Sequence, residues 1–546
     1  MNRLLTLTII ISLQMGLAQV PHHLELNRSV NLDENSVPGL TSNSVVDIRR
    51  GPGDLLYFGT SGGLGFAYIL PDGNLDFRSF DVANLPPGGN PGLAVKDSII
   101  AVSGAVQEYA QGEHRPAGSG IAWSLDAGQT WQYKPQPVDP ADSPRYLDLE
   151  WGGQVLQRLA VTTEINNVSY ELAIAGDYIY STSWAGGLQR FQFRNIPPVP
   201  AGDDPNPWEP IPLPMDNEFS LISGEVNTDS YELNPNDPPM GSHNHKGFSV
   251  YAVDDTLWVG TAAGINKGVP SSIPGCIDWQ HYSALYDGLT GNWVVGFTHQ
   301  ELTDIAGQSF IRVWAITWPT ESGEFYGLSY TDDGGEFWDV SDYIMENTPK
   351  IYSLSQNGER LLAAGDNGLY VTEDALQWDR FGRPGESEHG EEILSQVVYS
   401  GLDLPDTELL LVGTPDGVAV TPDDGLTWSI HRFWKATRNS DGDDRFYAYP
   451  NPFYINAVNL VDGDGHVRFV FNSSGGGSVK LRLYDFAMEQ VIAMGDEMVR
   501  QTGDSQQQEI IWNGRNDWGD PVANGVYFCR LTLGSNEYWT KLLVVQ

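Results

Sequence analysis

Cysteine and basic residues are scarce in this sequence, and no long hydrophobic run follows its first twenty residues. Only Cys276 and Cys529 occur, which we expect in different domains, so a disulfide framework and a cysteine metal cluster are both excluded. Lys and Arg number 30 against 71 Asp and Glu, giving a formal net charge of -41. A field of that sign repels phosphate backbones and anionic lipids. Nucleic acid and membrane surfaces are therefore disfavoured as partners, and divalent cations are favoured over both.

The sequence also lacks some catalytic motifs: no H-E-x-x-H and no phosphate-binding P-loop occurs. With 71 acids, no pair of catalytic carboxylates can be chosen from the sequence alone. Enzyme activity is unsupported at this level, though it is not excluded.

The first residues read MNRLLTLTIIISLQMGLAQV, with Arg3 before an apolar stretch that ends at small residues. This pattern predicts a secretory signal peptide at 1–18, with cleavage after Ala18. No later segment is long and apolar enough to span a bilayer, so we expect no transmembrane segment in the mature chain.

Aromatic residues and glycine are abundant, with 17 Trp, 24 Tyr and 60 Gly. That composition is typical of many short strands joined by tight turns. A chain of 546 residues is too long for one ordinary core, which indicates several domains or a repeat array with an added module.

One short motif recurs through the chain. TPDDGLTW at 421–428 is matched by SLDAGQTW at 124–131 and TDDGGEFW at 331–338, and a shortened TEDALQW lies at 372–378. A glycine precedes the aspartate by six residues in every copy. We take the motif as structural, since catalysis would require several identical active sites. Its proposed structural residues are Asp126, Gly128, Trp131, Asp333, Gly335, Trp338, Asp374, Trp378, Asp423, Gly425 and Trp428.

A glycine followed by an alternating apolar stretch marks each repeat, at Gly63, Gly120, Gly187, Gly264, Gly327, Gly368 and Gly417. The shortest intervals match the roughly 40 to 50 residues of a four-stranded propeller blade. The pattern predicts an all-β fold with a seven-bladed β-propeller over 19–435, six or eight blades being the alternatives. We expect insertions near 132–157 and 193–245.

The repeated octet resembles the Asp-box of sialidases and of many secreted propellers that are not enzymes. The upstream elements LYFGTSGG and LWVGTAAG resemble two-component-regulator propeller repeats. The resemblance implies a propeller with the octet at its rim and ligands at the central channel. A sialidase would also need an arginine triad, and the nearest match to its Arg-Ile-Pro element is Arg194-Asn195-Ile196-Pro197, which carries an extra residue.

The composition of the sequence changes after Arg438. A polar linker at 436–445 is followed by YPNPF and a series of alternating strands. Residues 446–546 predict an immunoglobulin-like β-sandwich. The stretches LRLYDF, IIWNGRNDWGDPVANGVYFCRL and KLLVV resemble the C-terminal sorting domains of type IX secretion substrates and, less closely, flagellar hook-capping proteins. The resemblance implies contact with the type IX secretion machinery and a secreted or surface location in a Gram-negative-type bacterium.

Two groups of residues have the composition of metal ligands. His243 and His245 would lie on one face of a strand. Asp462 and Asp464, like the run Asp441–Asp444, resemble calcium-binding loops. Structural or solvated roles are favoured for all of them, and no cofactor is expected beyond Ca²⁺ as a weak candidate.

These observations favour an exported platform that binds or displays, with an extracellular glycan or protein as ligand. Trp151, Trp208 and Tyr231 in the insertions are candidate contacts, with buried packing as the alternative. The alternative function is a glycan-active hydrolase or lyase, a sialidase-like propeller enzyme with its site at the central mouth.

Overall fold

The computed structural model describes residues 32, 35–110, 112–198, 200, 204–234, 242–304, 306–347, 349–385, 391–433, 446–457, 459–472, 478–495, 498–501 and 507–546. The predicted signal peptide, the predicted linker and the acidic run 441–444 lie outside these described residues.

The chain forms an all-β propeller followed by a β-sandwich, as the repeat and the C-terminal strands predict. Seven antiparallel sheets follow one another in the described part of the propeller, and we name them A to G. Sheet A comprises β1 Ser36–Pro38, β2 Val45–Arg50, β3 Leu55–Thr60, β4 Gly63–Ile69 and β5 Leu75–Phe80. Sheet B comprises β6 Leu93–Lys96, β7 Ile99–Ala110, β8 Glu113–Ser124 and β9 Gln132–Lys134. Sheet C comprises β12 Glu171–Ala175, β13 Tyr178–Ser183, β14 Gly187–Gln192 and β15 Glu209–Ile211.

Sheets D to G continue the same up-and-down order. Sheet D comprises β16 Ser220–Leu221, β18 Gly247–Val253, β19 Thr256–Thr261, β20 Gly264–Pro270 and β21 Ile277–Tyr282, and sheet E comprises β22 Trp293–Thr303, β23 Ser309–Trp318, β24 Gly327–Thr331 and β25 Asp339–Val340. Sheet F comprises β26 Ile351–Asn357, β27 Arg360–Gly365, β28 Gly368–Thr372 and β29 Asp379–Arg380. Sheet G comprises β30 Ser400–Leu404, β31 Leu409–Thr414, β32 Gly417–Thr421 and β33 Ser429–His431. Sheets A and D each carry an additional edge strand, β1 and β16.

The sheets close into a ring around a central channel. The innermost strand of each sheet contacts the innermost strand of the next, and β30 of the last sheet contacts β2 of the first. At this closure the backbone N–H of Ile48 donates to Ser400 Oγ at 3.2 Å. Hydrophobic side chains of adjacent sheets fill the spaces between them, so each sheet buries both faces against its neighbours.

The marker glycines take the positions that the repeat predicts. Six of the seven begin a third strand, whereas Gly120 lies within β8. At Gly264 the backbone φ is 129° and an added Cβ would lie 2.0 Å from the carbonyl oxygen of Tyr282, so only glycine fits there.

The two insertions fold together, which the sequence did not indicate. Strands β10 Tyr146–Trp151 and β11 Gln154–Leu159 come from the first insertion region, and β17 Glu232–Leu233 from the second pairs in parallel with β11. Short helices α1 Ala284–Asp287 and α2 Asp342–Asn347 lie in connections between sheets.

The C-terminal domain is a two-sheet sandwich with its own core. One sheet holds β34 Phe446–Tyr449, β36 Val467–Asn472, β40 Gln507–Trp512 and β39 Val499–Gln501; the other holds β35 Phe453–Tyr454, β42 Asn536–Val545, β41 Gly525–Leu533, β37 Val479–Tyr484 and β38 Gln490–Met494. Phe453, Phe469 and Leu481 are buried between the two sheets. Both cysteines are free, Cys276 in the propeller and Cys529 in this core.

Candidate functional site

Each repeated octet forms the turn between the third and fourth strands of its sheet. In the last copy, Asp423 Oδ1 accepts from the backbone N–H of Thr427 at 2.8 Å, and Asp423 Oδ2 from the Thr427 hydroxyl at 2.7 Å. These bonds hold the pKa of Asp423 below its ordinary value. Thr427 is exposed, so these two bonds do not satisfy buried donors. The partly buried N–H of Gly425 instead donates to Thr421 Oγ1 at 2.8 Å.

The same turn recurs in the other copies. Asp126 Oδ1 accepts from Thr130 N at 2.8 Å, Asp333 Oδ1 from Phe337 N at 3.0 Å, and Asp374 Oδ1 from Gln377 N at 2.8 Å. The carboxylates therefore serve their own turns.

The octet tryptophans lie between sheets. Trp131, Trp338, Trp378 and Trp428 retain 5 to 8% of their surface. Trp131 contacts Phe80 of the preceding sheet, with ring centroids 5.3 Å apart, and Trp378 belongs to a cluster with Trp314 of the preceding sheet. Each octet thus attaches its own sheet to the sheet before it.

The candidate metal ligands have other partners. His243 and His245 lie on a short 3-10 helix and not on a strand. His243 is exposed, whereas His245 is 1% exposed and its ring nitrogens lie 2.7 Å from Ser242 Oγ and 3.0 Å from the carbonyl oxygen of Leu213. Burial lowers the pKa of His245 to about 3. This geometry does not support one metal ion held by both imidazoles.

Asp464 forms an ion pair with Arg515, which donates to Oδ1 at 2.5 Å and to Oδ2 at 2.8 Å. Asp462 Oδ1 lies 3.5 Å from Nε2 of Gln396 in the propeller. Among the described residues, no group of three His, Cys, Asp or Glu is arranged as a metal site. Calcium binding stays a prediction that these contacts do not favour.

Other candidate residues lie away from the channel. Arg194 follows the end of β14 and pairs with Asp177 at 2.7 Å. This end of the propeller is opposite to the end at which the inner strands begin. Trp151 and Tyr231 are 6% and 4% exposed in the core beneath the insertions, so they are not surface contacts. Trp208 packs on Phe191, with ring centroids 4.8 Å apart.

A series of aromatic side chains lies at one end of the propeller, where the inner strands begin and the second and third strands of each sheet are joined. We call this end the mouth. The series runs through sheets C to G, all of its members are half-buried, and we name it the aromatic arc: Tyr170, Trp184, Phe248, Trp293, Trp318, Tyr352 and Tyr399.

Neighbouring rings of the arc are in contact. Ring centroids lie 5.4 Å apart for Phe248 and Trp293, and 5.6 Å apart for Tyr352 and Tyr399. Trp293 and Trp318 are directly opposed across the β22–β23 pair, and Trp318 lies 6.0 Å from Tyr352. The result is a series of aromatic rings along five successive sheets, with Lys246 Nζ 5.0 Å from the ring centroid of Trp184 and Lys350 Nζ 3.9 Å from that of Trp318.

β-Bulges place two members of the arc. Phe248 is the unpaired residue between Gly247 and Ser249, and Tyr352 is unpaired between Ile351 and Ser353. A bulge re-aims a side chain that regular pairing would direct elsewhere. The repeat pattern did not indicate this arc, although an aromatic residue early in successive inner strands was the available signal.

Polar side chains of the inner strands also lie in the channel. Arg49 donates to Asp47 at 3.0 Å, Glu171 accepts from the backbone N–H of Val250 at 3.2 Å, and the Tyr251 hydroxyl lies 2.9 Å from Nδ1 of His299. We name Asp47, Arg49, Glu171, Tyr251 and His299 the channel cluster.

Burial raises the pKa of Glu171 to about 8; Arg49 opposes this shift, and Asp47 adds to it. Burial also lowers the pKa of His299 and raises that of Tyr251. Arg49 nevertheless keeps 37% of its side chain exposed, because it faces the channel. The cluster thus contains a carboxyl group that binds its proton at neutral pH, beside a cation.

A buried ionic network joins the propeller to the sandwich. Arg468 of the sandwich pairs with Asp416 of sheet G at 2.7 Å and with Glu509, and Arg432 reaches Asp416 at 3.1 Å. The Asp416, Arg468 and Glu509 side chains are 0 to 2% exposed. We name these four residues the domain lock. Burial alone would raise the pKa of Asp416, but Arg432 and Arg468 lower it to about 2.

No family model and no curated protein matches this chain. Solved structures similar to it include PorZ of Porphyromonas gingivalis, described as a bacterial surface component of the type-IX secretion system, at 13% identity and a TM-score of 0.37 over 92% of this chain and 66% of that one. The extracellular domain of the putative hybrid two-component system BT4673 from B. thetaiotaomicron is 11% identical, with a TM-score of 0.21 over 95% and 91% of the two chains. Virginiamycin B lyase from Staphylococcus aureus is 9% identical, with a TM-score of 0.31 over 70% of this chain and 96% of that one. None of the described helices has the length and apolar character to cross a membrane.

Proposed function

We propose that this protein is an exported propeller that binds an extracellular glycan at its mouth and is delivered by its C-terminal sandwich through type IX secretion. The observation that supports binding is the aromatic arc. Its rings are half-buried, which keeps them rigid while part of each faces solvent. Aromatic surfaces of this kind bury the C–H faces of sugar rings at low conformational cost.

Binding is tested with the full mature chain on an array of plant, algal and sialylated glycans. Trp184→Ala removes an arc residue that lies in a turn between β13 and β14, and Trp518→Ala, at an 85% exposed tryptophan of the sandwich, is the control. We expect Trp184→Ala to lose glycan retention and Trp518→Ala to keep it. Retention unchanged in Trp184→Ala, with circular dichroism as in the wild type, would refute binding at the mouth.

The secretion role rests on the sequence resemblance of 446–546 and on the separate core of that domain. Fusing 434–546 to a periplasmic reporter in a bacterium that has type IX secretion should carry the reporter to the medium or the cell surface. The full chain without 446–546 should accumulate in the periplasm. A reporter that stays periplasmic while the full chain is exported would contradict the proposal.

A second candidate is catalysis on the bound glycan, and the channel cluster favours it. Protonated Glu171 has the character of a general acid, and the Tyr251–His299 pair could exchange a proton with a sugar hydroxyl or C–H group. The glycan panel separates the two functions, since soluble product released by the wild type and abolished by Glu171→Gln would establish an enzyme. Retention of the glycan without release of a soluble product would support binding without catalysis.

A further inference from the structure

A cavity of about 560 Å³ lies between the propeller and the sandwich at the mouth. The propeller contributes the loop before β2, the turn after β3, the segment before β30 and the turn after β31, and the sandwich contributes residues 449–452, 454, 457, 459 and 460. The N–H of Gln396 donates to the carbonyl oxygen of Leu460 at 3.0 Å beside it, and the domain lock fixes the same two domains. The walls therefore belong to both domains and are held in register.

The cavity continues the aromatic arc. Tyr399 is the last ring of the arc, 5.6 Å from Tyr352, and it also lines the cavity. The sandwich supplies further rings there, among them Tyr449, Tyr454 and Pro452. A chain-like ligand lying along the arc would thus enter the cavity at Tyr399.

The lining chemistry selects a class of ligand. Not one of the cavity's described lining residues is charged, in a protein with 71 acids. Several hydroxyl groups line it on the propeller side, and two of them, Ser42 and Ser61, lie 2.7 Å apart. Hydroxyl groups pair with the hydroxyls of neutral sugars, while tyrosine and proline rings cover sugar C–H faces. Anionic sugars would find no cation in this lining, and the net charge of -41 would repel them.

We propose that the sandwich completes the ligand site: the shared cavity binds neutral sugar residues at one end of a glycan whose other residues lie on the aromatic arc. This inference rests on the proposed glycan binding. It gives the C-terminal domain a role in recognition beyond delivery. The cavity volume is within the roughly 300 to 1,000 Å³ of small-ligand sites and is large enough for a few sugar residues.

The test measures dissociation constants of the full mature chain for neutral laminarin, cellulose and mannan oligosaccharides of increasing length by calorimetry. Tyr454→Ala removes a cavity ring that is 44% exposed, and Trp539→Ala, at a 49% exposed tryptophan elsewhere on the sandwich, is the matched control. Ser42→Trp fills the cavity from the propeller side.

In the wild type, affinity should continue to rise with oligosaccharide length after the arc is covered. In Tyr454→Ala and Ser42→Trp this additional gain, about tenfold, should disappear, whereas short oligosaccharides and Trp539→Ala should behave as the wild type does. Equal length dependence in all four proteins would overturn the cavity site and leave binding at the arc intact. Binding confined to anionic glycans would also overturn it, and binding to no glycan would remove the proposed function as well.

Discussion

Gly425 lies against Phe381, the aromatic residue that follows the fourth strand of the preceding sheet. A Cβ added to Gly425 would lie 2.9 Å from Cδ1 of Phe381. The other full octets repeat this contact, with Gly128 against Phe80 and Gly335 against Tyr282. The octet glycine therefore has two tasks: it takes a positive φ in its own turn, and it admits a neighbouring ring.

Gly425→Ala should destabilise the propeller more than the backbone conformation alone explains. Gly73 is the matched control, since its φ of 83° equals that of Gly425 within a degree and nothing lies within 4 Å of an added Cβ. We expect about 1 kcal/mol for Gly73→Ala and a further 1 to 3 kcal/mol for Gly425→Ala, from overpacking against Phe381. Equal losses in urea unfolding would show that the ring contact has no energetic weight.

Trp428→Ala should cost about 3 to 5 kcal/mol of unfolding free energy, because it opens a cavity between sheets F and G. Asp423→Ala should lower the melting temperature much less, since the Thr427 donors it frees can bind water. Glycan binding per folded molecule should be unchanged in both, because the octets lie at the opposite end of the sheets from the mouth. Loss of binding in folded Asp423→Ala would refute the structural role of the octet.

Arg468→Ala should destabilise the junction of the two domains by about 3 to 5 kcal/mol, since Asp416 and Glu509 would lose a buried partner. Arg515→Ala is the control: its pair with Asp464 is about one-third exposed on both sides, and we expect a much smaller loss of unfolding free energy. In calorimetry, the wild type should unfold in one transition, and Arg468→Ala should unfold in two. A single unchanged transition would contradict the lock.

The domain lock should also respond to acid. The pKa of Asp416 is about 2 in the folded protein against an ordinary 3.8, so its contribution is complete above the ordinary value and is lost as pH falls towards 2. Limited proteolysis at the domain junction, followed from about pH 5 to pH 2, should accelerate in that window. Asp416→Asn should be cleaved at a rate that changes little over the same window.

Glu171 should give the opposite pH dependence. Its folded pKa of about 8 lies above the ordinary 4.5, so between these values the folded protein keeps a proton that the unfolded chain has released. Stability should therefore fall as pH rises from about 4.5 to about 8, and Glu171→Gln should remove that part of the slope. Urea unfolding at several pH values checks this; an identical slope in both proteins would mean that Glu171 is ionised in the channel.

The sequence by itself determined the repeating unit. Positive-φ glycines, apolar strands and acidic turns are local features, since each follows from the conformational preferences of a few adjacent residues. Copies of TPDDGLTW at fixed distances from a glycine were therefore enough to predict propeller strands and turns. The C-terminal strands could be predicted for the same reason.

Tertiary structure alone decided where the aromatic arc and the shared cavity lie. Phe248 and Tyr352 reach the mouth through bulges, and Tyr399 lines one cavity with Tyr449 because the propeller and the sandwich pack against each other. The same holds for Glu171, whose proton affinity depends on Arg49 and Asp47, more than a hundred residues away in the chain. Contacts between distant segments depend on how sheets pack around the axis, and no local preference encodes that arrangement.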